Sequence, residues 1–375
     1  MASMSAADAT STKSPAVSVI IPARNEENSL AVCLHSVLEQ RDVEFEVIVV
    51  DDASTDRTGE IARSFPGVRV LESTPLQPGF TGKCNALACG AAQAHGRWLL
   101  FTDADTVHLP GSLAASLREA QEYQAALLSY SPAQEVHGFW EKAVMPVVFA
   151  ELAHTYRTED VNDAGSPGAA ANGQYLLITR EAYERVGGHA AVIRSLLEDV
   201  DLARKVKQSG QKIRFRFGGD RVRARMYRSF AQLREGWTKN LALLFESPLR
   251  LALFRGAEVI LIAGGAALAV VAAVRHEPPL AVAGAVVAAA VYSQFLRRIR
   301  SAHFAWDANL LALLGLPVFV SLLLASQLSH KRGSVTWKGR TYGAASHNGR
   351  SALDVRTSNP ASQARGGDAA APGRI

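Results

Sequence analysis

Between residues 246 and 330 the chain carries three long apolar runs, and these restrict its folding more than any other feature. Residues 259–274 are sixteen in a row without a polar side chain, bounded by Glu258 and Arg275. The run 279–296 is broken only by Tyr292, Ser293 and Gln294, and the run 310–328 only by Gly315, Pro317, two serines and Gln327. As helices they reach roughly 24–28 Å, close to the ~30 Å hydrocarbon core of a bilayer. None presents a charged face at helical spacing, which favours membrane helices over an alanine-rich soluble bundle. A C-terminal membrane domain at 246–330 is therefore expected, with its helices near 257–275, 279–296 and 309–328.

Charge orients that segment. The net charge is only +5, but residues 204–255 hold fourteen Lys or Arg and three acids, a local +11 that leaves −6 for the rest. A basic stretch directly before a membrane segment favours the cytoplasmic side and attracts anionic headgroups. No nucleic-acid motif accompanies it, so membrane rather than nucleic acid is the expected partner. The expected location is the plasma (inner) membrane, multi-pass, with the preceding domain cytoplasmic. Cys33, Cys84 and Cys89 show no CxxC spacing and read as reduced thiols. The N-terminus lacks the apolar h-region of a secretory signal. Residues 1–15 and most of 331–375 are expected to be disordered.

Ahead of the apolar runs, strand-like and helix-like stretches alternate. Residues 17–21 form a β-branched run ending at Pro22, and residues 44–50 form a second, closed by Asp51 and Asp52. Between them, 26–40 places Leu30, Cys33, Leu34, Val37 and Leu38 on one helical face. Ser54 or Thr55 would cap a helix running to about residue 64. Strands at 68–71 and 98–101 enclose a small-residue helix at 86–94. This alternation predicts an α/β unit with a mostly parallel sheet, whose ligands bind beyond the carboxyl ends of the strands.

The acids fall at those ends. Asp103 and Asp105 flank Ala104 just past an apolar strand, a spacing that lets carboxylates reach a hard divalent cation, Mg²⁺ or Mn²⁺, bridging to a diphosphate. Asp51, Asp52 or Asp56 can cap a helix, and a carboxylate there also accepts from a nucleobase or ribose. Lys83, in Thr81-Gly-Lys-Cys-Asn85, precedes a helix and suits a phosphate, although the spacing is not that of a P-loop. Glu198 and Asp199 stand where a helix dipole favours acids, and either suits a general base.

Taken in order, these pieces resemble the family 2 glycosyltransferases of GT-A fold. The resemblance rests on Val17-Ser-Val-Ile-Ile-Pro-Ala-Arg-Asn-Glu26, Val49-Val-Asp-Asp-Ala-Ser-Thr-Asp56, Asp103-Ala-Asp105, Asn172-Gly-Gln-Tyr-Leu-Leu-Ile-Thr-Arg180, Val186-Gly-Gly188 and Glu198-Asp199, and covers about residues 16–245. The membrane segment and the late Trp337-Lys-Gly-Arg340 are similar to the lipid-glycosylating subgroup: ceramide glucosyltransferase-like, hopene-associated and carotenoid-acid enzymes. The resemblance implies that Pro22, Arg24, Glu26 and Asp52 line the nucleotide site of a UDP-sugar donor, with Lys83 near the base or diphosphate. It implies that Asp103 and Asp105 hold the metal, Asp105 being the better ligand. Asp199, beside Glu198, would deprotonate a lipid acceptor for inverting transfer of a single sugar. Asn172 and Gly173 would lie toward the acceptor or diphosphate.

Two departures bear on these expectations. Processive synthases of the family carry Q-x-x-R-W, whereas here the stretch is Gln232-Leu-Arg-Glu-Gly-Trp237, with Arg234 and Trp237 expected to meet diphosphate and acceptor. The altered spacing and short membrane segment favour single transfer over a processive synthase, and the full set of acids argues against a non-catalytic nucleotide-binding subunit. Three full crossings would put Lys331, Arg332, Lys338 and Arg340 outside, against the charge rule. A last run re-entrant around Gly315 and Pro317 is therefore expected. Interfacial helices are expected near 139–152 and 229–245, the first being equally readable as a core helix.

Overall fold

The computed structural model describes residues 15–342. From the N-terminal side come β1 (Val17–Ala23), α1 (Leu30–Leu38), β2 (Phe45–Asp51), α2 (Thr58–Arg63), β3 (Val68–Glu72), α3 (Gly82–Ala92), β4 (Trp98–Phe101) and β5 (Thr106–His108). Next are α4 (Ser112–Glu122), β6 (Leu127–Ser131), β7 (Ala133–Gln134), α5 (Phe139–Thr155), α6 (Thr158–Asn162), β8 (Leu176–Thr179), α7 (Arg180–Arg185) and α8 (Glu198–Gln208). The chain continues through β9 (Ile213–Phe217), β10 (Val222–Ala224), α9 (Phe230–Leu244), α10 (Pro248–Val274), α11 (Pro278–Ile299) and α12 (Trp306–Arg332). It closes with a hairpin of β11 (Val335–Trp337) and β12 (Arg340–Tyr342).

Seven strands form the main sheet in the order β3-β2-β1-β4-β8-β6-β9, all parallel except β8. The central strands are apolar on both faces because both faces are covered, as a parallel sheet requires. Ile20, Ile48 and Val50 pack into the layer beneath α3, while Val19, Ile21, Val47 and Val49 pack into the layer beneath α1. The predicted mostly parallel α/β unit is present. A small second sheet, β5-β10-β7, sits beside the metal-motif loop.

Local boundaries differ where loops tie to each other. Glu26 lies in a turn before α1 rather than inside it, its carbonyl accepting from both the Ser29 amide (3.0 Å) and the Leu30 amide (2.9 Å). Neither Ser54 nor Thr55 caps α2. Ser54 Oγ accepts from the Asn25 amide and the Thr55 amide donates to Asn25 Oδ1, so both secure the β1–α1 loop, while Asp56 accepts from the Thr58 amide at the helix start. The helix expected from residue 86 begins at Gly82, capped by Thr81, which puts Lys83 in its first turn.

The larger corrections concern the last third. The run 310–328 lacks the break expected at Gly315 and Pro317: α12 passes through both unbroken, with Pro317 on its exposed side. Residues 335–342, ahead of the part of the tail from about 345 that is expected to be disordered, form the β11–β12 hairpin. The rest of that tail and residues 1–14 lie outside the described residues. The 139–152 stretch belongs to the core: Ala143, Val144, Met145, Val147 and Val148 of α5 are buried against α9 and α12, and only Phe139 and Trp140 are exposed at its start. By contrast, α10 and α11 pair with each other and expose most of their apolar surface. Glu151, Arg255, Glu258 and Arg298 form a four-member charge network at the base of that pair.

Candidate active site

The carboxyl ends of β1, β2 and β4 open into one cleft of about 1430 Å³. Pro22, Arg24, Glu26, Asp52, Lys83, Asp103, Asp105, Asn172, Gly173, Glu198, Asp199 and Trp237 all line it. Twelve of the thirteen residues singled out in the sequence therefore meet in one place. Arg234 is the exception: it is exposed on α9 and does not line the cleft. Trp237 sits one turn further on, facing inward. Arg234 follows Gln232 by two residues rather than three, and one step is enough to turn the arginine away, because each step rotates a helix by about 100°.

Lys83 is the hub. Its Nζ lies 2.8 Å from Asp103 Oδ1 and 2.9 Å from Glu198 Oε1, joining the strand-end acid to the α8 acid. Burial works against the lysine's charge, but Asp103, Glu198 and Asp199 outweigh it and hold its pKa well above the ordinary value. Burial likewise opposes ionisation of Glu198, and Lys83 overcomes it, keeping that carboxyl below its usual range. Asp199 has no such direct partner. Burial and the neighbouring Glu198 raise it to about 7, even though its Oδ2 accepts from the Gly173 amide (2.7 Å) and its Oδ1 from the Val200 amide (2.8 Å). Two adjacent acids thus shift in opposite directions, because the lysine pairs directly with only one of them.

Gly173 leaves room for the Lys83 ammonium beside it. A Cβ there would come to 2.8 Å from Lys83 Nζ and 3.5 Å from both Asp199 and Glu198. Asn172 Oδ1 accepts from the Gln174 amide, fixing the turn that presents Gly173.

Asp105 is raised to about 7 by burial, then by Asp103 and Glu26, with a 3.3 Å contact from Gln174 Nε2 as partial relief. Among the described residues no three His, Cys, Asp or Glu side chains form a ready metal cage. Two crowded carboxylates opening to a cleft nevertheless fit a hard divalent cation that takes its other ligands from phosphate and water.

In the nucleotide half, Arg24 is a brace rather than a free cation. Its Nη1 donates to the Asp52 carbonyl (2.6 Å) and the Ala53 carbonyl (3.0 Å). The β11–β12 hairpin lies across this half: Lys338 pairs with Glu26, and Arg340 with Asp52, which also accepts from Ser73 Oγ (2.9 Å). Nothing in the local sequence connects residues 338 and 340 to positions some 300 residues earlier; only the fold does so.

Lys239 was also missed. It lines the cleft on α9, makes no ion pair among the described residues, and sits 4.7 Å above the Trp337 ring. Burial pulls its pKa below the ordinary lysine value, and Glu198 partly opposes that. The same cleft is also lined by Phe149, Leu152, Tyr156, Phe217 and Leu244, interleaved with polar residues such as His154, Arg157 and Asn240, and by Arg255 and Arg298 at the base of the α10–α11 pair. Trp237 is 2 % exposed, and its buried Nε1 has no hydrogen-bond partner among the described residues.

Residues 18–187 match the glycosyl transferase family 2 model. The 4,4'-diaponeurosporenoate glycosyltransferase of Staphylococcus aureus (strain USA300) is 32% identical over 233 residues, covering 60% of this chain and 61% of that protein. The enzyme of the same name from strain MRSA252 matches to the same extent. The chain thus spans about 61% of the length of these relatives. In fold it is similar to the mannosyltransferase PcManGT from Pyrobaculum calidifontis, solved with GDP-Man and Mn²⁺, at a TM-score of 0.50, 20% identity, and coverage of 85% of this chain and 87% of that one.

Proposed function

We propose that this chain, which matches the glycosyl transferase family 2 model over residues 18–187, moves one sugar, with inversion, from a nucleoside-diphosphate sugar to a membrane lipid acceptor. The observation that carries this reading is that one cleft is lined by Asp52, by the acids Asp103, Asp105 and Asp199, by apolar residues such as Phe149, Leu152 and Leu244, and by Arg255 and Arg298 at the base of two exposed apolar helices. An amphiphile with its tail toward α10 and α11 would bring its head to Asp199. Both solved and curated relatives bear glycosyltransferase names, PcManGT being described with a nucleotide sugar and the Staphylococcus enzymes with a carotenoid acid.

In this reading Asp199 takes the proton of the acceptor hydroxyl as its oxygen attacks the anomeric carbon and the nucleoside diphosphate departs from the opposite face. Lys83 holds Glu198 ionised and lies ready for phosphate, so Asp199 is left as the weaker acid and hence the better base. Asp103 and Asp105 would hold the divalent metal, Mg²⁺ or Mn²⁺, which when bound supplies positive charge to the leaving diphosphate. The catalytic unit is assigned to the cytoplasmic face on the strength of the basic 204–255 stretch. Two exposed helices offer no enclosed channel for a growing polymer, which favours single transfer.

The test is turnover by purified full-length protein in nanodiscs with Mn²⁺, a panel of UDP- and GDP-sugars, and lipid extract, read by mass spectrometry. A glycosylated lipid is expected. Nucleotide binding without transfer to any lipid would instead indicate a non-catalytic subunit.

Two further outcomes follow from the carboxylates. Asp105→Asn should raise the Mn²⁺ concentration required for donor binding at least ~10-fold, measured by calorimetry with and without metal. The activity should also titrate. Asp199 must be ionised to act as a base and is raised to about 7, so kcat/KM is expected to fall about tenfold per unit below that pH. Saturating Mn²⁺ would compete with protons at Asp105 but not at Asp199, so the limb that persists under saturating metal reports Asp199. A flat profile from pH 5 to 8 under those conditions would contradict the assignment.

A further inference from the structure

The third apolar helix is held unlike the other two. Only about a tenth of the apolar window of α10 or α11 is buried, against 39% for α12. Its buried positions, Ala308, Ala312, Gly315, Phe319, Leu322 and Ser326, follow one face and pack on α5 and α9. At Gly315 a Cβ would run into the Ala143 carbonyl, so the helix is seated directly on α5. The opposite face, Trp306, Leu310, Leu314, Pro317, Leu324 and Leu328, is exposed and apolar apart from Ser321. Both ends are tied to the catalytic unit. At the start, Asp307 pairs with Lys142 of α5 (2.6 Å). Toward the end, Ser326 Oγ accepts from the Ala242 amide (2.9 Å), and the hairpin just beyond places Lys338 on Glu26 and Arg340 on Asp52.

A helix crossing a bilayer separates its ends by the membrane; these ends share one side. We propose that α12 lies in the plane of the membrane, its exposed stripe set into the leaflet that faces the catalytic unit, and that only α10 and α11 cross. This rests on the reading of α10–α11 as a membrane hairpin. The occupant of the stripe is lipid, because the stripe adjoins that hairpin: α12 meets α10 near its start, where Ala252 joins the same buried cluster as Phe319 and Leu323. Its ends carry what an interface favours, with Trp306 exposed at one and Lys331 and Arg332 at the other. A buried face on protein and an apolar face in lipid also explain the sequence, in which the run has no polar side although it does not span. The arrangement keeps Lys331, Arg332, Lys338 and Arg340 on the catalytic side and removes the conflict with the charge rule.

The test uses full-length protein in sealed vesicles of known orientation, with Cys89 replaced by Ser and single cysteines at exposed positions. A membrane-impermeant maleimide should label Ala305→Cys and Ser334→Cys from the same side as Gln121→Cys on the catalytic unit, and Glu277→Cys at the hairpin tip from the other. Labelling of 305 and 334 from opposite sides would overturn the proposal. Labelling of 277 from the catalytic side would instead overturn the membrane hairpin beneath it. Spin labels at Leu310, Leu314, Leu324 and Leu328 give a second measure. Their depths should agree within ~5 Å, whereas a crossing helix would spread them at ~1.5 Å per residue. Labels reached by neither oxygen nor an aqueous nickel complex would mean protein covers the stripe, and the proposal would fail.

Discussion

Asp199→Asn is expected to lower kcat by about 10²–10⁴-fold on a hydroxyl acceptor while leaving donor affinity within about threefold. The asparagine retains the shape and can still accept from the Gly173 or Val200 amide, which now donate to the aspartate at 2.7 and 2.8 Å. What it loses is the ability to take a proton. The donor side is built from other groups: Asp52, Lys83 and the Asp103–Asp105 pair. Steady-state kinetics with calorimetry of donor binding separates the two effects. An acceptor already ionised, such as a carboxylate, has no proton to give and should lose less than about tenfold, so the size of the loss also reports the acceptor oxygen. Near-normal turnover on a hydroxyl acceptor would remove Asp199 from the role of base.

The largest effect on stability should come from the base of the α10–α11 pair. Arg298 bonds Glu151 (2.9 Å) and Glu258 (2.7 Å), and Arg255 bonds the same two acids (2.8 and 3.2 Å). The two glutamates are almost fully buried, and two positive charges balance two negative ones. Arg298→Met leaves one buried carboxylate uncompensated, a loss of about 3–5 kcal/mol. In detergent the melting temperature should drop by roughly 6–15 °C. Adding Glu258→Gln restores neutrality and should recover at least ~1 kcal/mol through the coupling between the two positions. If the double variant melts no higher than the single one, packing rather than charge balance accounts for the loss.

The catalytic unit was largely legible in the sequence because its signals are short-range. A β-branched run followed by acids marks a parallel strand and its carboxyl end, and Asp51, Asp52, Asp103 and Asp105 needed only their immediate neighbours to be placed. Residues governed by rotation about a helix were less legible. Arg234 and Lys239 lie five residues apart on α9, yet one points to solvent and the other into the cleft. Boundaries shifted where a polar residue found a distant partner, as Ser54 and Thr55 did at Asn25 instead of capping α2.

By itself the sequence determined the strand–helix alternation, the positions of the acids at strand ends and the presence of three helices apolar enough for a membrane. Those properties follow from composition and period, which each segment carries locally. Only the tertiary structure decided which cations meet which acids: Lys83 with Asp103 and Glu198, Lys338 with Glu26, and Arg340 with Asp52. It also decided that α12 rests on α5 and α9 with both ends on the catalytic unit. Hydropathy measures how strongly a segment avoids water, and protein and lipid satisfy that avoidance equally well. The choice between them depends on surfaces that only chain folding brings together.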